Sequence, residues 1–227
     1  MNVLNNLKTG LKQINDMKNG VIPKRTYSEF VQNNVALNLK NIKIYLLDIN
    51  ENMINEWSKL FNNYPNIEIV HNDLYSFLAS TKVDCLVSPA NSYGLMDGDY
   101  DYAITTWYGS DLMNKVQEYI INELYGEQTI GTAICIQTDS SPQYLIHSPA
   151  MRTPEIIYDY RVIYNCMRNT LIQAMKHDIK SIVVPAWGGG CGRVEPNIIA
   201  NMMLCAYNQL LNTPSELSWN YALINRL

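Results

Sequence analysis

Three stretches of this sequence carry the residue types that could hold or transform a small anionic ligand, and each follows an apolar run that reads as a strand. The first is His71-Asn72-Asp73-Leu74. A carboxylate there can accept a hydrogen bond from a base amino group or a ribose hydroxyl. Asp73 is equally a good N-cap for a helix over Leu74–Ala79, and from position alone the cap is the better reading. The second stretch runs Ser88-Pro89-Ala90-Asn91-Ser92-Tyr93-Gly94-Leu95-Met96-Asp97-Gly98-Asp99-Tyr100-Asp101. Its length and its mix of Asn, Asp and Gly mark it as a functional loop rather than a plain turn. The third is Pro185-Ala186-Trp187-Gly188-Gly189-Gly190-Cys191-Gly192-Arg193, where four of the chain's 11 glycines fall in five positions. Glycines let successive backbone N–H groups converge on an anion, and the N-terminus of a following helix adds a positive end. The spacing is not that of a P-loop. Two Gly-rich loops at strand ends make two walls of one diphosphate site. Backbone dipoles do the binding there, so no excess of lysine is needed.

Such loops need strands to carry them. Apolar periodicity predicts strands over Ile42–Ile49, Ile67–Val70, Cys85–Ser88, Thr132–Gln137, Tyr144–His147 and Ser181–Pro185. It predicts helices over Asn52–Asn62, Leu74–Ala79, Tyr102–Tyr108, Asp111–Tyr125, Tyr158–Lys176 and Pro196–Leu211. Strands alternating with helices imply an α/β fold: a three-layer α/β/α sandwich on a mixed, mostly parallel sheet. The sheet is mixed because the strands near 132–147 have no helix between them. In such sheets ligands sit outside the carboxyl ends of the strands. Residues 1–41 differ: Leu4, Leu7, Leu11 and Ile14 recur at helical spacing, and Thr26 and Glu29 stand in a capping-box relation. They read as an N-terminal helical extension, with the main domain over 42–227. Without serine in its first helix or arginine before Arg25, this basic segment is not read as a targeting peptide.

Composition narrows the function. The 227 residues carry a formal net charge of −4 and are 47% hydrophobic and 17% charged. That describes a globular chain and argues against bulk nucleic-acid binding, which needs a basic face. No run is apolar enough for a membrane span or a secretory h-region, so the expected location is cytoplasmic. The five cysteines contain no C-x-x-C and the three histidines lie far apart, so neither a disulfide framework nor a metal site is expected. Abundant asparagine and isoleucine, with 16 tyrosines, look like an AT-rich coding sequence. A methyltransferase or a dinucleotide dehydrogenase is rejected, because residues 20–41 hold one glycine, Gly20, and no G-x-G before Asp48.

Taken together, Asn72-Asp73-Leu74, Ser88-Pro89-Ala90-Asn91-Ser92, Gly94-Leu95-Met96-Asp97-Gly98, Gly126-Glu127-Gln128, Ile146 through Pro154, and Pro185 through Arg193 resemble the macro domain, an ADP-ribose-binding fold. The likeness runs from about Ile42 to Leu211 and is to the branch with PANS, MDGG and MRxP signatures. It implies ADP-ribose or a derivative as ligand, with no cofactor, and an ADP-ribosylated macromolecule as a partner. By position it implies that Asp73, with Leu74, meets the adenine. Asn91, beside Ala90, would face the distal ribose, and Gly94, Asp97 and Gly98 would flank the diphosphate. Gly188, Gly189, Gly190, Cys191, Gly192 and Arg193 would form the phosphate wall. Asn91 and Asp101 match the spacing of hydrolytic members, in which the Asp positions or activates water. His147 is a candidate for proton transfer, against the alternative of a hydrogen-bonded core histidine.

Two departures stand out: Asp99 replaces the second glycine of MDGG, and Gly189 stands where many members have Thr. The usual aromatic clamp over the distal ribose is also missing from its place, with Trp187 and Tyr93 as substitutes. The resemblance thus implies ADP-ribose binding with hydrolysis of ADP-ribose 1″-phosphate or a mono-ADP-ribosyl bond. The alternative is a non-catalytic binding module, or an interaction protein with a vestigial pocket.

Overall fold

The computed structural model describes residues 38–214, 216–224 and 227; the expected helices within 1–37 lie outside them. Strand β1 (Lys43–Asp48) leads into helix α1 (Glu51–Phe61), then β2 (Ile67–His71), α2 (Leu74–Ser80) and β3 (Cys85–Ser88). The long loop and helices α3 (Asp99–Tyr108) and α4 (Asp111–Leu124) follow. After them come β4 (Ile134–Gln137), β5 (Tyr144–His147), α5 (Arg161–Lys176), β6 (Ser181–Val184), α6 (Pro196–Leu211) and α7 (Trp219–Ile224). The described residues of 38–213 form one compact unit, and those of 214–224, α7 among them, belong to a second.

The six strands lie in the order β2-β1-β6-β3-β5-β4. All neighbours are parallel except β4 against β5. That antiparallel pair is the one with no helix between its strands, since a short loop can reverse the chain but cannot make a parallel crossover. The central strand β3 is buried at all four residues, with Ser88 the one polar side chain among them. A parallel strand covered on both faces must read this way.

Alternation along β1 shows the two faces. Ile44 and Leu46 join a core with Trp57 of α1, Met167 of α5 and Met203 of α6. Tyr45 and Leu47 point the other way, to a core built from Phe77 of α2, Ile104 of α3 and Val116 of α4. Helices on both faces of one sheet are the three layers expected. Boundaries shift by a residue or two in most elements. The largest shifts are of three residues: α3 starts at Asp99 rather than Tyr102, and α5 at Arg161 rather than Tyr158. The Asp159 carboxylate accepts from the Arg161 N–H at 3.1 Å, and this local bond turns the chain just ahead of the helix.

Candidate functional site

Strand order reverses between β1 and β3, with β6 between them, and a crevice must open at the carboxyl ends there. A cleft of about 750 Å³ occupies it. Its walls come from four strand ends: Asp48–Asn50 after β1, Asn72–Tyr75 after β2, Pro89 with Asp99, Tyr100 and Ala103 after β3, and residues between Pro185 and Pro196, Gly189, Gly190 and Arg193 among them, after β6. Four helices begin at these walls, α1 after Asn50, α2 after Asp73, α3 after Gly98 and α6 after Glu195. Each N-terminus carries unsatisfied N–H groups and a partial positive charge, so the cleft is suited to anionic or acceptor-rich ligands.

The Gly-rich loop after β6 divides its labour. Gly188 and Gly192 close the loop on itself. A methyl on Gly192 would lie 2.8 Å from the Gly188 backbone, and Gly188 has φ of +82°. Gly189 and Gly190 instead line the cleft. Among the described residues no protein acceptor takes the N–H of Gly189, Gly190 or Cys191, whereas Arg193 donates back to Gly190 O at 3.0 Å. Exposed backbone donors beside a helix N-terminus form an anion cradle. The Arg193 side chain is exposed, lines the same cleft, and makes no ion pair among the described residues.

Asp73 does what a cap does: its Oδ1 accepts from Ser76 N at 3.0 Å, and that bond holds its carboxyl below the usual carboxylate range. It also lines the cleft, beside Leu74 and the exposed Tyr75. Capping and ligand contact are therefore compatible at this residue, because the cap uses one carboxylate oxygen.

Of the expected site residues, Asp73, Leu74, Gly189, Gly190 and Arg193 line the cleft, whereas Ala90, Asn91, Gly94, Asp97, Gly98, Asp101, His147, Gly188, Cys191 and Gly192 do not. The Asn91 side chain organises its own loop. Its Oδ1 accepts from Tyr93 N and Leu95 N at 3.1 and 3.3 Å, and its Nδ2 donates to Leu95 O at 2.7 Å. Gly94 turns against α4 with φ of +64°, and Asp97 and Gly98 are exposed. Asp101 is buried beneath the loop and accepts from Ser88 Oγ at 2.6 Å. Burial pushes its carboxyl up to about 7; the Ser88 bond opposes that rise, and Asp99 and Asp97 add to it.

Of the two readings left open for His147, the structure matches the hydrogen-bonded core histidine rather than a group facing the cleft. It is fully buried at the end of β5, with Nδ1 bonded to Gln128 Oε1 at 2.6 Å. Burial drives it down to about 3, so the ring is neutral. Trp187 and Tyr93 are corrected, since neither lines the cleft. The Trp187 ring is fully buried and donates to Ser148 O at 3.0 Å. The Tyr93 hydroxyl donates to Glu127 Oε2 at 3.3 Å, and its ring lies under the Arg152 guanidinium, 5.4 Å from the ring centre. Tyr75 and Tyr100 are the aromatic residues of the cleft.

The remaining signature residues fasten the loop from behind. Arg152 forks onto Glu127 at 2.7 and 2.9 Å. Ser92 N donates to Arg152 O at 3.2 Å, and Gln128 N donates to Ser92 O at 2.9 Å. Sequence reasoning missed the β1 wall of Asp48, Ile49 and Asn50. The available signal was a strand ending on Asp48 at the same sheet edge as the three loops. Among the described residues no group of three or more His, Cys, Asp or Glu is placed to hold a metal ion, and no helix is long and apolar enough to cross a membrane.

The order of strands and the loops at their carboxyl ends define a macro-domain α/β sandwich. The chain belongs to the Macro domain family, whose model matches residues 87–203. The macrodomain of Oceanobacillus iheyensis solved with ADP is 25% identical, with a TM-score of 0.51 over 60% of this chain and 73% of that one. The macrodomain of Mycobacterium tuberculosis DarG, at 19% identity and a TM-score of 0.50 over 58% of this chain and 85% of that one, shares the fold. An uncharacterized protein of Aquifex aeolicus (strain VF5) is 26% identical over 129 residues, 56% of this chain and 74% of its own length.

Proposed function

We propose that the cleft binds ADP-ribose, with the adenine beside Asp73 and Tyr75 and the diphosphate against Gly189 and Gly190. The observation that carries this reading is the pair of unspent glycine N–H groups in the cleft wall of a macro-domain fold. The ADP bound by the Oceanobacillus iheyensis macrodomain supports it. Arg193 supplies a flexible cation beside the same phosphates. The ADP-ribosyl group of a modified macromolecule presents the same chemistry. Calorimetry with ADP-ribose tests the proposal: micromolar-range binding is expected, and no heat at millimolar ligand would end it.

A second reading, hydrolysis of ADP-ribose 1″-phosphate or a mono-ADP-ribosyl bond, is favoured by Asp101. A carboxyl held near 7 is poised to exchange protons at neutral pH. In that reading Asn91 holds the loop and Asp101 acts as base from beneath it once the loop moves aside; neither Asp101 nor the buried His147 lines the cleft. Asn91→Ala and Asp101→Ala should each abolish release of phosphate or ADP-ribose. Full activity in both variants would remove Asn91 and Asp101 from the mechanism, and no release by the wild type would leave binding as the sole function.

A further inference from the structure

The cleft is acidic for a site that takes a diphosphate. Asp48, Asp73, Asp99 and Glu195 line it, against Arg193. Two of these acids are committed locally. Asp48 Oδ1 accepts from Asn50 N at 2.8 Å, and Asp73 caps α2. Asp99 is different. Among the described residues its carboxylate has no hydrogen bond and no ion pair. Its backbone sits at φ of +45°, a left-handed conformation uncommon for a residue with a side chain. From there it reaches across the cleft: a methyl carbon placed on Gly190 would lie 3.7 Å from Asp99 Oδ2. The carboxylate thus leans over the cradle whose N–H groups are unspent. Its first-turn position in α3 is electrostatically favourable, and that favour comes from the same helix dipole a phosphate would use.

We propose that Asp99 is a specificity-determining residue, a built-in anion that competes with a ligand phosphate for the Gly189–Gly190 cradle and shifts the cleft's preference toward the nucleoside part of its ligand. This inference rests on the ADP-ribose reading and refines it. Like charges a few ångströms apart in a partly enclosed cleft repel, and the repulsion is screened by salt. The phosphates of ADP-ribose therefore add little affinity over adenosine beside the Asp99 carboxylate.

The test compares adenosine and ADP-ribose by calorimetry on the full chain, at low and high salt, for wild type, Asp99→Asn and Asp99→Gly. Asparagine tolerates the left-handed backbone and glycine relieves it, so both variants should fold; circular dichroism checks this. ADP-ribose affinity is expected to rise on the order of tenfold in both variants at low salt, less at high salt, with adenosine affinity unchanged. Equal ADP-ribose affinity in wild type and Asp99→Asn would overturn the inference and leave the ADP-ribose reading standing. A gain for Asp99→Gly alone would assign the effect to space rather than charge, and would also overturn it. Failure of all three proteins to bind ADP-ribose would overturn both readings.

Discussion

Burial of Asp101 and of His147 should give two opposing pH dependences of stability, and each can be uncovered by removing the other. Asp101 goes from an ordinary carboxyl value of 3.8 to about 7 on folding. Below about pH 4 the group is protonated in both states and costs nothing. Between about pH 4 and 7 the unfolded chain releases the proton while the folded chain keeps it, so stability falls as pH rises. At about 1.36 kcal/mol per unit, the loss is about 4 kcal/mol by pH 7 and persists above it. His147 goes from 6.5 to about 3. Above about pH 6.5 it is neutral in both states and costs nothing. As pH drops from 6.5 toward 3 the unfolded chain takes up a proton that the folded chain refuses, so stability falls by about 5 kcal/mol.

In wild type the two slopes nearly cancel between about pH 4 and 6.5. The Asp101→Asn amide still accepts from Ser88 but cannot ionise. That variant should gain stability with rising pH, at about 1.4 kcal/mol per unit up to pH 6.5. His147→Gln can still bond Gln128, and it should show the mirror-image fall toward pH 7. Urea unfolding of the three proteins at half-unit steps from pH 4.5 to 8 measures both. The wild-type minus Asp101→Asn difference isolates the carboxyl, because all other titrating groups are shared. A difference flat with pH would refute the claim that Asp101 is held protonated by burial.

Other perturbations separate the roles of neighbouring residues. Gly192→Ala drives a methyl to 2.8 Å from the Gly188 backbone and should cost about 1–3 kcal/mol in chemical denaturation. Gly189→Ala meets nothing nearer than 3.7 Å and should leave the unfolding midpoint close to wild type. Asp73→Ala removes the cap of α2 and should lower the unfolding midpoint. It should also weaken ADP-ribose more than ribose 5-phosphate; equal loss for both ligands would leave Asp73 as a cap alone. Arg152→Ala removes an exposed fork that solvent screens, so its melting temperature should barely move. The loop at 91–98 should be cut faster in limited proteolysis.

Much of the fold was legible because periodicity and burial agree. β3 is buried at every residue, apolar from Cys85 to Val87, and is a central strand. The lack of a helix between β4 and β5 announced the antiparallel edge. Of the cleft, the glycine wall and Asp73 were legible because their backbone chemistry is local. His147 was not, since a residue at a strand end looks the same in sequence whether it faces the crevice or the core. The register Ser88↔His147 and the Gln128 contact decide that, and both are long-range. Trp187 misled for a similar reason: it sits inside a polar loop, yet its ring is an anchor against Ser148. The β1 wall escaped notice because Asp48-Ile49-Asn50 is short and has no glycine.

The signature motifs and the cleft overlap only in part, and the reason is mechanical. A loop that must hold N–H groups toward a ligand cannot also spend them on its own framework. The framework bonds therefore fall to residues behind it. The Arg152–Glu127 fork, the Ser92 and Gln128 backbone links and the Asn91 side chain tie down the loop after β3 without entering the cleft. The loop after β6 is held instead by Gly188 and Gly192 packing on each other. Asp99 stands at the junction of these two systems, on the first turn of α3 and opposite Gly190. A glycine there would leave the cradle open, and an aspartate puts a charge over it. Binding strength in this cleft should therefore turn on one position outside the phosphate wall, more than on any of the glycines within it.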